Sequence, residues 1–255
     1  MKSEKSATQR IAPIQSVERA IWILKCFEQH EHLSLSEIVK LIGLHKSTTY
    51  GLVSTLEAYQ LIEKDNISGK YHLGIELFRL GNKVNIDLRS IVSPYLNLLV
   101  SKYEETANCL IFDKDSIIYL DKKESPHSMR IATSLGQREP LYRTAAGKAI
   151  LSRLPSDTAA ELLDQTVFEK MTEHTLCSAQ EVQKELDSIR KNGYAVDNEE
   201  LETGLVCVGT ALINSSGTPV GGISVSGPVT RMTPEYRKKI ASDLVNYALE
   251  IQEKL

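Results

Sequence analysis

The chain has 255 residues, a formal net charge of −3 at pH 7 and 42% hydrophobic residues, which is enough for one large or two modest globular domains. No apolar run approaches the roughly 20 residues that a membrane-spanning helix needs, and the polar start MKSEKSATQR lacks the apolar segment of a signal peptide. We therefore expect a cytoplasmic protein that does not enter a membrane and does not attract nucleic acid through its net charge alone.

Four cysteines are spread along the chain and form no C-x-x-C pair, namely Cys26, Cys109, Cys177 and Cys207. Widely spaced thiols of this kind are typical of reduced cytoplasmic proteins rather than of disulfide scaffolds or zinc sites. The sequence therefore predicts no metal site and no cofactor.

The N-terminal part predicts a disordered tail over residues 1–13 and then a helix over residues 14–27. Apolar residues recur in that helix at helical intervals, and Ser16 is a candidate N-cap. Trp22, the only tryptophan, falls on the other side of the helix. Packing inside the domain and a contact between two copies of the chain are equally open interpretations of Trp22.

Two short helices joined by a tight turn are predicted over residues 34–59. Ser34 and Glu37 have the spacing of a capping box, and Gly43 supplies the left-handed residue that ends a helix. The second helix, residues 46–59, has an apolar inner face and a cation, hydroxyls and a phenol on its outer face. This pattern indicates a helix-turn-helix with a recognition helix for the DNA major groove, although a helical hairpin that only packs would look the same.

A β-hairpin is predicted directly after these helices, with strands at residues 61–64 and 70–73 around a turn at residues 66–69. A hairpin in this place is a wing, and Lys70 near its tip could touch a phosphate or the minor groove. The candidate DNA-contacting residues of the helix pair and the wing are Ser36, Lys46, Ser47, Thr48, Thr49, Tyr50, Lys70 and Tyr71.

A helix over residues 75–88 is predicted to lead out of the small domain, with Gly81 weakening its middle. Pro94 is expected in the first turn of the next helix, where its missing N–H does no harm. We therefore divide the chain into a winged domain at residues 14–74, a linker helix at 75–90 and a second domain at 91–255.

The second domain mixes strands and helices. Strands are predicted at residues 107–112, 116–120 and 129–133, helices at 144–154, 156–163 and 179–191, and a hairpin at 205–213 and 220–225. Thr233 and Pro234 form a strong start signal for a last helix that runs to the C-terminus. This order predicts an α+β fold with an antiparallel sheet.

Four stretches from residue 14 onwards carry a resemblance to a known family. They are SVERAIWILKCF with LSLSEIVKLIGLHKSTTYGLVSTL, then SGKYHLG, then PLYRTAAGKAIL, and GYAVDNEELETGLVCVGTALIN followed by SVSGP. The chain resembles the IclR (isocitrate lyase regulator) family of bacterial transcription factors. The resemblance implies a winged helix-turn-helix, a linker helix and a GAF-like effector-binding domain. It also implies a dimer or tetramer that binds operator DNA under the control of a small organic acid or aromatic compound.

The same resemblance implies an effector site formed by Ile131, Ala145, Ala146, Asp197, Leu205, Cys207, Ser224 and Ser226. Free N–H groups where a helix begins at Thr144 would suit an anion. Without the resemblance, the strand residues could be plain core and Asp197 part of a solvated acidic loop. Glu139 is either solvated on a loop or turned inward, where it would favour a hydroxylated or neutral ligand.

Two positions depart from the family pattern. Gly51 stands in the recognition helix where family members often carry Arg, and Ile213 stands where an aromatic residue or His is usual. Because glycine cannot reach phosphate or base, DNA affinity should depend more on Lys46, Tyr50 and the wing.

Two other functions compete with ligand-controlled DNA binding. A small-acid enzyme would need Cys207 as nucleophile, but none of the six histidines forms a recognisable motif with a cysteine. Phosphate-loop, HExxH and GxSxG motifs are also missing, so the sequence predicts no enzyme. An adaptor that has lost DNA binding would fit Gly51 and the low basic charge.

Overall fold

The structure, a computed structural model, describes residues 13–81, 83, 87–131 and 133–255. The chain forms two compact units that are divided after residue 85. The tail predicted at residues 1–13 lies outside the described residues except for Pro13. Within the described ranges, no helix is long and apolar enough to cross a membrane.

The first unit is a winged helix-turn-helix, as predicted. It contains α1 (Gln15–Lys25), α2 (Leu35–Ile42), α3 (Lys46–Ala58), the antiparallel strands β1 (Ile62–Lys64) and β2 (Tyr71–Leu73), and α4 (Ile75–Gly81). Its core brings all of these except α4 together through Ile23, Phe27, Leu33, Ile38, Val53, Leu56, Ile62 and Tyr71.

Local signals decide where α2 begins and ends. Ser34 Oγ accepts a hydrogen bond from Glu37 N at 3.3 Å, and Ser34 N donates to Glu37 Oε2 at 2.7 Å, which confirms the capping box. Gly43 ends the helix with a left-handed φ of 67°. The N-cap predicted at Ser16 is wrong, because α1 begins at Gln15 after Ile14 and has no side-chain cap.

The helix predicted over residues 75–88 is described as two helices. Helix α4 ends at Gly81 and α5 (Asp87–Tyr103) begins six residues later, while residues 82 and 84–86 lie outside the described part. Pro94 lies inside α5 rather than in a first turn. Burial explains how α5 continues through the proline, because packing stabilises its apolar stripe of Leu88, Val92, Leu96 and Leu99.

The second unit is built on a six-stranded antiparallel sheet with the order β5-β4-β3-β8-β7-β6. The strands are β3 (Thr106–Asp113), β4 (Ser116–Lys123), β5 (Arg138–Pro140), β6 (Ala195–Asn198), β7 (Leu205–Ile213) and β8 (Pro219–Pro228). Helices α5 and α9 (Pro234–Gln252) pack on one face of the sheet. Helix α6 (Ala145–Arg153) packs on the other, followed by α7 (Ser156–Gln165) and α8 (Ala179–Asn192). The predicted α+β fold class is confirmed.

The strand predicted over residues 129–133 is wrong for the residues that are described there, and Ala132 lies outside them. The edge of β4 is instead paired with β5, where Ile117 lies opposite Glu139. Strand β5 pairs only with residues 116–118 of β4, and residues 129–131 and 133 form no strand along the rest of that edge.

Candidate DNA-binding surface and effector site

The N-terminal half of α3 presents one exposed polar face. Lys46, Ser47, Thr48 and Tyr50 are exposed, and 58% of the Tyr50 surface is accessible. Thr49 does not belong to this face, because its side chain is fully buried and its Oγ1 donates to His45 O at 3.1 Å. The assignment of Thr49 as a DNA contact is therefore contradicted, since the helical turn directs it into the core with Val53 and Leu56.

The wing presents Lys70 but not Tyr71. Lys70 Nζ lies 3.8 Å from Glu37 Oε2, and both side chains are about half exposed. Tyr71 is 4% exposed and exchanges two backbone hydrogen bonds with Leu33, so its assignment as a DNA contact is also contradicted. Ser36 is exposed in the first turn of α2, with its Oγ 3.1 Å from Ser34 Oγ.

Gly51 leaves a gap on the exposed side of α3. A Cβ atom added there would meet no heavy atom within 4 Å. A longer side chain would therefore extend into solvent on the same helix, and its absence leaves Lys46 as the cation of this face.

In the second unit, polar side chains form a row across the face of the sheet that α6 covers. Asp197 lies opposite Cys207, which in turn lies opposite Ser226. One step along, Ser224 lies opposite Asn108. Directly opposite residues of antiparallel strands share a face. We call this set the polar row: Asn108, Asp197, Cys207, Ser224 and Ser226.

Helix α6 begins directly over the polar row. Ala145 packs with Leu205 and Cys207, and the half-buried Ile131 lies against the same group. The side chain of Ala146 points elsewhere, because a Cβ atom at Gly222 would lie 3.0 Å from Ala146 Cβ. The structure thus gathers all eight predicted effector residues, but Ala146 has only its backbone available to a ligand.

Close approach of α6 to the sheet depends on Gly209. A Cβ atom at Gly209 would lie 2.6 Å from Ala146 N, so any larger residue would push the helix start away. Thr144 caps the helix, with its Oγ1 accepting from Gly147 N at 3.1 Å. The N–H groups of Ala145 and Ala146 are left as the helix-start donors.

Asp197 is fully buried, and only one of its two carboxylate oxygens accepts hydrogen bonds from the described residues. Its Oδ1 accepts from Glu200 N at 2.7 Å and from Leu201 N at 3.4 Å. Its Oδ2 has no hydrogen-bond partner among the described residues. Burial, assisted by the charge of Glu200, raises the pKa of Asp197 to about 7.

A buried ion pair ties α6 to the segment after β6. Lys148 is fully buried, and its Nζ donates to Glu200 Oε1 at 2.6 Å and to Glu185 Oε2 at 2.7 Å. Neither a local motif nor the family resemblance predicts that Lys148 pairs with Glu200. Their separation by 52 residues hides them from any local pattern.

Cys207 is placed for packing rather than for nucleophilic attack. Burial first, and then the Asp197 carboxylate, raise the pKa of the Cys207 thiol well above its usual value. The thiolate is the nucleophile, so this environment opposes the catalytic hypothesis. Within the described ranges, no group of three His, Cys, Asp or Glu residues is arranged to hold a metal ion.

Three polar residues next to the predicted site were missed from the sequence. Asn108 Nδ2 donates to Ser226 Oγ at 3.3 Å, and Thr133 Oγ1 donates to Asn108 Oδ1 at 3.1 Å. Tyr119 is buried, and burial together with the nearby Cys207 and Asp197 raises the pKa of its phenol. A polar residue at an alternating position of an otherwise apolar strand was the available signal for Asn108.

Glu139 is not solvated on a loop. It lies in β5, is 7% exposed and accepts from Arg143 Nη2 at 2.8 Å and from Gln137 Nε2 at 2.9 Å. The arginine compensates its charge, so an inward Glu139 does not by itself exclude an anionic ligand.

Comparison with known proteins agrees with this architecture. The model of the IclR helix-turn-helix domain matches residues 16–66, and that of the bacterial transcriptional regulator IclR C-terminal domain matches residues 82–253. The chain belongs to the IclR family. It is a DNA-binding transcriptional regulator of that family.

Three IclR-family proteins illustrate the similarity. The chain is 33% identical to the transcriptional repressor AllR of Klebsiella pneumoniae over 224 residues, which is 87% of this chain and 82% of AllR. It is 31% identical to the IclR structure from Thermotoga maritima, with a TM-score of 0.78 over 94% of this chain and 98% of that one. An IclR homolog from Microbacterium hydrocarbonoxydans, solved with 4-hydroxybenzoate, shares the fold at 17% identity, with a TM-score of 0.83 and coverage of 94% and 98%.

Proposed function

We propose that this IclR-family regulator binds a pseudo-palindromic operator in the cytoplasm as a dimer or tetramer, and that a small organic acid controls the binding. The proposal rests on the presence of two features in one chain. The first unit has an exposed polar face on α3, and the second unit has a buried polar row under the start of α6. The protein acts by binding and not by catalysis, which the raised pKa of the Cys207 thiol supports. AllR is named a repressor, which supports repression as the mode of control.

Operator contact is proposed for Ser36, Lys46, Ser47, Thr48, Tyr50 and Lys70, all of them at least partly exposed. A cation, hydroxyls and a phenol can reach both phosphates and base edges. One winged unit buries little surface on DNA, so useful specificity needs two units on two half-sites.

Self-association is proposed through α1. The exposed apolar residues are Ile14, directly before the helix, and Val17, Ile21 and Trp22 on it. Each is at least 45% exposed, and together they line a groove of about 490 Å³. A contiguous exposed apolar face on a small unit is typical of a protein interface. This exposure supports the interpretation of Trp22 as a contact between copies over packing within its own unit.

The effector is proposed to bind between the start of α6 and the polar row. The N–H groups of Ala145 and Ala146 and the dipole of α6 favour an anionic group. Ser224 and Ser226 add hydroxyl donors. The homolog with bound 4-hydroxybenzoate supports an acid of this size as ligand.

Replacing Lys46 and Tyr50 together by Ala is expected to weaken operator binding by at least tenfold, because both side chains are exposed and neither supports the core. The measurement is a gel shift with DNA from upstream of the protein's own operon. Lys184→Ala on α8 is the matched control for the lost charge. Equal binding by the double variant and the wild type would show that α3 does not read DNA, and no shift with any upstream DNA would favour the adaptor.

Coupling between the two units is proposed to run through the linker over residues 75–90. Gly81 is the last residue of α4 and does not lie in the middle of a helix as the sequence predicted; Gly81→Ala meets no steric obstacle there and favours the helical conformation by up to about 1 kcal/mol. We expect the ligand to change operator affinity less in this variant, while ligand affinity stays nearly the same. The ratio of operator affinities with and without ligand measures the coupling. A ratio equal to that of the wild type would place the coupling elsewhere.

A further inference from the structure

The second unit contains two buried carboxylate oxygens without a hydrogen-bond partner among the described residues, Asp197 Oδ2 and Glu200 Oε2. Glu200 is compensated, because its other oxygen accepts from Lys148 at 2.6 Å. Asp197 has two backbone N–H donors on Oδ1, whereas its Oδ2 has no hydrogen-bond partner among the described residues. The side chain that interacts with this carboxylate is the Cys207 thiol, which is only a weak donor. A fully buried oxygen without a donor is costly unless it carries a proton or meets one.

The position of Asp197 makes that oxygen relevant to a ligand. Asp197 lies opposite Cys207 on the face that α6 covers, and Cys207 packs against Ala145 at the helix start. An acid held by the N–H groups of Ala145 and Ala146 would therefore lie beside Asp197. Two carboxylates in such a place repel each other unless one of them is protonated.

The charged and titratable groups around Asp197 do not remove this conflict. The segment after β6 contributes Glu200, and α6 contributes Lys148, whose ammonium is shared with Glu185 of α8. The remaining titratable neighbours are the Cys207 thiol of β7 and the Tyr119 phenol of β4, both neutral because burial raises their pKa. Strands β3 and β8 contribute the uncharged Asn108, Ser224 and Ser226. Among the described groups around Asp197, Lys148 is thus the cation that compensates Asp197, Glu185 and Glu200 before any ligand binds.

We propose that Asp197 holds a proton on Oδ2 and donates it in a hydrogen bond to the carboxylate of the effector, so that the effector binds together with this proton. The proposal rests on the proposed function, because it assumes an acid at the start of α6. The proton is already present when the site is empty at low pH, and it is taken up from solvent on binding at high pH. At high pH the step forms an O–H bond on Asp197 Oδ2 and breaks one in the solvent donor, and no other covalent bond changes.

Proton uptake makes binding depend on pH in a defined direction. Asp197 titrates at about 7, so affinity should be constant below that pH and fall tenfold for each unit above it. Between pH 6 and pH 8 the wild type should lose about tenfold in affinity. Asp197→Asn keeps an N–H donor at this position but cannot titrate, so its affinity should be the same at both values.

The test uses glycolate, pyruvate and 4-hydroxybenzoate as probes, with titration calorimetry on the full chain at pH 6 and pH 8. Asp164→Asn on the exposed side of α7 is the matched control and should behave as the wild type. Equal affinity of the wild type at both pH values would overturn the proposal, as would a pH effect that survives in Asp197→Asn.

A ligand-free measurement tests whether Asp197 holds this proton, which the proposal requires. If no probe binds, that result counts against the organic-acid effector and not against the proton. The folded protein keeps the Asp197 proton up to pH about 7, whereas the unfolded chain releases it near the ordinary value of 3.8. As the pH rises from 4 to 7, the stability of the wild type should therefore fall relative to the stability of Asp197→Asn at the same pH. The melting temperatures of both proteins across this range measure the difference. A difference that does not change with pH would overturn the proposal.

Discussion

Replacing Lys148 by Met should destabilise the second unit by roughly 3–5 kcal/mol, because it leaves a buried carboxylate without its cation. Lys148 is fully buried and Glu200 is 5% exposed, so water cannot take over the role of the ammonium. Glu185 is partly exposed and loses less, since its carboxylate is solvated. Equilibrium unfolding in urea, followed by circular dichroism, measures the change in the free energy of unfolding.

Two controls separate the lost charge from the lost side chain. Lys148→Met with Glu200→Gln removes both charges and should recover most of the stability, since a buried pair replaced as a whole costs little. Lys184→Met on the surface should change stability by less than about 0.5 kcal/mol. Trp22 is the only tryptophan and lies in the first unit, so its fluorescence should report no change there. A double variant as unstable as the single one would contradict the charge explanation.

Replacing Ala145 by Asp should abolish the binding of carboxylate ligands. The side chain of Ala145 faces Leu205 and Cys207, so the new carboxylate would occupy the place proposed for the ligand. Two like charges about 4 Å apart at an effective dielectric constant of about 20 repel by about 4 kcal/mol, or roughly 10³-fold in Kd. Titration calorimetry with the best of the three carboxylate probes at pH 6 measures the loss.

Ala145→Asn is the matched control for this variant, because it has the same shape without the charge. It should bind more weakly than the wild type through crowding, but more tightly than Ala145→Asp. Operator binding without ligand should be the same for all three proteins. A carboxylate that still binds the Asp variant as it binds the wild type would place the effector elsewhere in the second unit.

Elements whose stabilising contacts lie within a few residues could be read from the sequence. The Ser34 capping box, the left-handed Gly43 and the Thr233 cap before Pro234 each involve hydrogen bonds between near neighbours, and all are present. The helix-turn-helix, the wing and the antiparallel sheet follow from such signals with hydrophobic periodicity. The family resemblance adds the residues under the start of α6 as the expected effector site.

The sequence predictions are wrong where packing between distant segments decides whether a side chain is buried or exposed. Thr49 and Tyr71 have the chemistry of DNA contacts, but the turn of α3 and the pairing of β2 with Leu33 put both in the core. Glu139 has the composition of a solvated loop, but β5 and Arg143 bury it. Local propensity carries no information about which face of an element meets the rest of the fold.

The sequence alone therefore determined the class of protein: a winged helix-turn-helix joined to an α+β unit, with the family's residues at their expected spacing. Only the tertiary structure decided that Ala145 rather than Ala146 presents its side chain to the polar row, because the Ala146 side chain packs closely against Gly222. It also brought Asp197 opposite Cys207 and Lys148 onto Glu200. The physical reason is that burial and electrostatic environment are properties of the packed unit, so the proton that we assign to Asp197 has no counterpart in any local pattern.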